Sequence, residues 1–173
     1  MNLRNHAIWL ILLGTIGCES STVQSTTPTA PSSSEPSTPT EQDLALQEWS
    51  KLISQVRQQM FAYEAKRAQQ YGGKKTVVTF VSDDVTKSPN SLKAALDGVV
   101  NFRARDLRIE NTDIDEEIAY EVKFKWNGSR WNRTEASETI LTTSNPKNAS
   151  LRGKTAAAHP LAKPMLDFIF GPI

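Results

Sequence analysis

Flat rings and cations alternate in one stretch of this chain, where Lys123, Lys125, Arg130 and Arg133 interleave with Phe124, Trp126 and Trp131. That mixture stacks bases or sugars beside anionic groups. It also describes a strand lying under a helix, with its even positions turned inward and its lysines forming a wet face whose stems cover apolar surface. Trp126, Trp131, Lys125 and Arg130 are therefore the candidate contacts for a ligand or partner. Hairpin register separates the two readings: a two-residue Asn127-Gly128 loop places Trp131 with Trp126, and a three-residue bulged loop places it opposite Lys125.

Two other groups of residues carry weaker chemical signals. Asn111, Asp113, Asp115, Glu116 and Glu117 put oxygen donors at alternate positions, as calcium loops do. Glu116 stands where such a loop needs glycine and Val122 where it needs its terminal acid, which excludes an EF-hand. What remains is either a looser calcium site or a solvated loop leading into a strand. His159 lies directly before Pro160, with no HExxH spacing or serine-nucleophile signature around it. A general base needs a partner within hydrogen-bond reach, and the sequence identifies none. No catalytic residue, metal ligand or cofactor is assigned.

The elements that must position these residues can be read from periodicity. From Asp43, apolar residues recur at steps of three and four through Leu46, Trp49, Leu52, Ile53, Val56, Met60 and Tyr63. That pattern predicts an amphipathic helix to about Gln70, stopped by Tyr71, Gly72 and Gly73. Strands are expected over Thr76–Val81, Gly98–Leu107 and Tyr120–Trp126, the last returning through Trp131 toward Leu141. His159–Phe170 can hold a short helix docked by Leu166, Phe168 and Ile169. The expected class is α+β, one long N-terminal helix on a curved antiparallel sheet of about four strands. That element order resembles the cystatin and NTF2-like folds, a likeness that carries no functional residue with it. Asp84, Val85, Lys87, Ser88, Ser91 and Leu92, followed by Gly98, Val100 and Phe102, resemble a pattern of small uncharacterised bacterial exported domains.

Composition divides the 173 residues before any fold is considered. Residues 20–42 hold no aromatic and no basic residue. Such a segment cannot bury enough apolar surface to offset a backbone ordering cost of about 1–2 kcal/mol per residue, so it reads as a disordered tether. Fully extended, it reaches roughly 70 Å at about 3.1 Å per residue. Of twenty basic residues only Arg4 precedes Cys18, and of nineteen acidic residues only Glu19, Glu35 and Glu41 precede Asp43. The part from Asp43 to Ile173 therefore has only a slight basic excess, and no affinity for nucleic acid is expected. The sole cysteine, Cys18, makes no disulfide within the chain.

Arg4 and His6 precede an apolar run, Ala7–Ile16, which is followed by Gly17 and Cys18. The run is too short for a membrane span of about 20 residues and has the form of a cleaved secretory signal. Thr15, Ile16, Gly17 and Cys18 resemble the lipobox of bacterial lipoproteins. The resemblance implies that Cys18 is acylated and becomes the new N-terminus, giving residues 1–18 as signal, 19–42 as tether and 43–173 as one domain. Lipoproteins usually carry Leu where Thr15 stands, so an ordinary cleaved signal leaving a free thiol stays open. Glu19, in place of the Asp associated with inner-membrane retention, implies by analogy an outer-membrane address.

The expectation is thus a non-enzymatic, lipid-anchored binding or interaction module of the cell envelope. It touches the membrane through its lipid and an extracytoplasmic protein, glycan or small ligand through its domain. Two alternatives are an internal small-ligand or enzymatic site of NTF2-like type and carbohydrate or cell-wall binding through exposed Trp126 or Trp131.

Overall fold

The computed structural model describes residues 38–72, 75–88, 95–107 and 115–172. The signal, Cys18 and residues 19–37 of the expected tether lie outside the described residues, as do Asn111, Asp113, Ser91 and Leu92. Helix α1 spans Glu41–Gln70. It begins at a capping box: the Thr40 hydroxyl accepts from the Asp43 amide at 3.2 Å, and the Asp43 carboxylate accepts from the Thr40 amide at 2.9 Å. Helical structure therefore starts at Glu41 rather than Asp43, and the last two residues assigned to the tether are its first turn. At the other end the Tyr71 amide closes on the Arg67 carbonyl and Gly72 adopts φ +58°, the left-handed stop that its sequence foretold.

The helix crosses one face of an antiparallel meander, in which β1 (Val77–Lys87), β2 (Leu96–Arg105), β3 (Glu116–Trp126), β4 (Trp131–Thr143) and β5 (Thr155–Ala157) are neighbours in chain order. The fold is α+β, helix on sheet, with five strands rather than about four. The fifth has three exposed residues paired to Ser137–Thr139. Thr-Ala-Ala has no alternation to read, and only the free edge of β4 makes it a strand. β1 runs six residues past the expected end at Val81, because a bulge there shifts the register between Phe80 and Ser82. Val78 and Phe80 face the core before the bulge and Val85 after it, so the inward positions change from even to odd where the sequence pattern is lost.

Trp49, Ile53, Val56, Met60 and Tyr63 of α1 meet Val100, Phe102, Ile118, Tyr120, Val122 and Phe124 in one core. Phe102 stacks on Tyr120 at 5.0 Å, and Trp49 meets Phe124 edge-on at 5.6 Å. Leu46 is exposed and Leu52 half-buried, since the apolar set written on the helix is wider than the face the sheet covers. A Cβ added to Gly98 would stand 2.5 Å from the Trp49 ring, so glycine in β2 is what lets that indole lie on the strand. A 3-10 turn at Pro160–Ala162, capped by the His159 side chain, leads into helix α2 (Lys163–Phe170). Met165, Leu166 and Ile169 of α2 complete the same core. His159 Nδ1 accepts from the Leu161 amide at 3.2 Å, which gives this histidine a helix-starting role.

Candidate functional site

Only part of the expected ring-and-cation contact assembles. Trp126 pairs directly with Trp131 across a four-residue connection. The Asn127 side chain accepts from the Ser129 and Arg130 amides, and Gly128 takes φ +93°. A four-residue loop preserves the parity of a two-residue one, so both indoles fall on the inner face. Trp126 is 9 % exposed, Trp131 is half-buried and donates Nε1 to the Ala45 carbonyl at 2.9 Å, and Trp49 lies 4.8 Å from Trp131. The inward reading of the ring-bearing strand therefore holds against the alternative of exposed tryptophans: Trp131 lies with Trp49 over Gly98, and Trp126 packs with Ala45 and Leu96. Arg130 and Trp131 share a small depression of about 170 Å³ with Glu48, Lys51 and Gln55, while Lys125 lies exposed on the other face.

The remaining charged residues are engaged locally. Lys123 pairs with Glu135 at 3.3 Å and Glu121 at 3.6 Å, and Glu135 is the chief reason its pKa is raised. Arg133 lies on the inner face of β4. The Trp126–Trp131 pairing sets it opposite Phe124, before the register shift at Lys123/Phe124; its side chain is only 3 % exposed, and Nη2 donates to Asp167 at 2.5 Å. Lys163 also bonds Asp167, and these two cations hold that carboxyl below the ordinary aspartate range. In the acidic stretch, Asp115 forms a bidentate pair with Arg105, whose hydrogen bond lowers the Asp115 pKa. Glu116 is buried and accepts from Thr143 and Asn148, and Glu117 lies 3.5 Å from Arg103. Among the described residues no group of three His, Cys, Asp or Glu is placed to hold a metal.

Two features have no sequence motif. On the sheet face opposite the helices, a trough of about 350 Å³ crosses the strands, lined by Ser82, Asn101, Ala119, Glu121, Ser137, Thr139 and Thr155. Asn101 donates to Ser82 at 3.2 Å, and the Thr139 and Thr155 hydroxyls lie 2.8 Å apart. Small polar residues at outward positions are the only signal, and they become neighbours only through the register Ser82–Asn101–Glu121–Ser137. The second is a cavity of about 390 Å³ between the last turns of α1, Leu107 and the start of α2.

An α+β helix-on-sheet domain with an open polar sheet face is the class this architecture defines. No protein-family model, curated protein or solved structure matches the chain. No described helix is long and apolar enough to cross a membrane.

Proposed function

We propose that this chain is a non-enzymatic interaction module of the cell envelope, held by a lipid on Cys18 and presenting its open sheet face to an extracytoplasmic protein. One observation carries the choice of surface: α1 and α2 cover one face of the sheet, while the trough on the other face stays open across all five strands. An internal ligand site finds less support, because Val100, Phe102, Tyr120 and Val122 are at most 1 % exposed and fill the space beneath α1. Lipobox-like residues Thr15–Cys18 and the polar tract after them support the anchor. A single acyl chain binds membranes only marginally, so stable attachment needs more than one.

The surface is tested by placing a photo-crosslinking amino acid at Ala119 or Thr139, with exposed Ala65 on α1 as control, in cells expressing the full chain. Discrete protein adducts at both trough positions and none at Ala65 are expected. Equal labelling at all three, or none at the trough, would reject the sheet face as the contact surface. The anchor is tested separately: Cys18→Ser should move the protein out of the membrane fraction, and retention after high-salt and carbonate washes would refute lipid attachment.

A further inference from the structure

The cavity at the far end of α1 has cations and no acid in its described lining. Its walls are Tyr63, Lys66 and Arg67 from the helix with Tyr71 just past its end, Leu107 two residues beyond β2, and Pro160, Leu161 and Pro164 where the 3-10 turn leads into α2. By contrast the groove between α1 and β1 includes Asp83, the sheet trough Glu121, and the depression beside Arg130 Glu48.

Its two cations are held by rings and neutral oxygens. Arg67 lies 3.9 Å over the Tyr71 ring and donates Nε to the Thr76 hydroxyl at 3.3 Å and Nη2 to the Leu107 carbonyl at 2.8 Å. The Lys66 ammonium sits 5.0 Å over the Phe168 ring. Neither has a carboxylate partner among the described residues, whereas Lys51, Arg103, Arg105, Lys123, Arg133 and Lys163 all do. A ring face fixes a cation without using its N–H donors, so Nη1 of Arg67 and the three Lys66 hydrogens stay available to an acceptor. Basic residues in a last helical turn also complement the helix dipole, but that role requires neither a cavity nor a guanidinium fixed on three sides. Leu107, Leu161, the prolines and the tyrosine rings supply an apolar wall beside the charge, and the volume falls in the range of small-molecule sites.

We propose that this cavity binds a small organic monoanion, a carboxylate joined to an apolar or aromatic body, with Lys66 and Arg67 taking the carboxylate and Leu107, Leu161 and the tyrosines the body. The site shares no lining residue with the sheet trough. It can therefore stand or fall independently of the interaction surface.

The test is a ¹H–¹⁵N NMR titration of the full chain with benzoate, with benzyl alcohol and acetate as the uncharged and body-less counterparts. Benzoate should give saturable shifts confined to the amides of residues 63–71, Leu107 and Leu161, weakening as salt is raised. Benzyl alcohol and acetate should each bind about tenfold more weakly or worse, a difference of about 1.4 kcal/mol. Lys66→Glu and Leu161→Glu both alter exposed side chains, so their melting temperatures should match the parent while benzoate affinity falls by the same factor. Equal binding of benzyl alcohol, shifts scattered over the surface, or unchanged benzoate affinity in a folded Lys66→Glu protein would each overturn the proposal. Loss of stability in Lys66→Glu with benzoate binding retained would assign Lys66 to the helix end alone and overturn it equally.

Discussion

Asp167→Ala should strand a buried guanidinium. The Arg133 side chain is 3 % exposed, its Nε and Nη1 find no hydrogen-bond partner among the described residues, and Nη2 rests on Asp167 at 2.5 Å. Removing one member of a buried ion pair costs about 3–5 kcal/mol, because the other charge stays behind without compensation. Asp167 keeps 28 % of its side-chain surface, so water can reach the vacated place and the low end, about 3 kcal/mol, is expected. That is a large share of the roughly 5–15 kcal/mol of a small domain, and it should move the urea midpoint by about 1–3 M. Arg133→Met added to Asp167→Ala should recover most of the loss, since the charge that needed a partner is then gone. The pair also predicts an acid limb. Asp167 has a depressed pKa in the folded chain, owing first to Lys163 and then to Arg133. Its contribution is complete above the unfolded value near pH 4 and is lost as pH falls through the folded one. Asp167→Asn should flatten that part of the stability curve. A loss below about 1 kcal/mol for Asp167→Ala, or a double variant no more stable than the single one, would refute the buried-charge argument.

Other substitutions test the positions around this pair. Phe124→Ala removes a ring from the helix–sheet core and should cost about 3–5 kcal/mol by urea unfolding, while Lys123→Ala on the outer face should leave the midpoint within scatter. Gly98→Ala must displace the Trp49 indole, so a loss of about 1–3 kcal/mol with altered tryptophan fluorescence is expected. Thr40→Ala breaks the capping box and should cost about 1 kcal/mol, whereas deleting residues 21–37 should leave the melting temperature unchanged. A drop of several degrees on deletion would show that the tract packs on the domain.

Local chemistry determined a good deal of this protein. The steps from Trp49 to Tyr63, the Tyr71-Gly72 stop and the alternation of Tyr120, Val122, Phe124 and Trp126 are written in neighbouring residues, and each gave its element and its buried face. Those signals are legible because helix and strand periods sort side chains without reference to the rest of the chain. Tertiary structure decided what depends on parity and on distant neighbours. One bulge at Val81 and another at Thr134, opposite Lys123/Phe124, changed which residues beyond them face inward, while the Trp126–Trp131 register set Arg133 opposite Phe124 on the inner face. The indoles of Trp126 and Trp131 look alike whether they bind a sugar or close a core, and only the four-residue loop with Gly98 beneath Trp49 settled their burial. The trough and the cationic cavity draw residues from strands and helix ends far apart in the chain. Their chemistry exists only once register and packing bring those residues together.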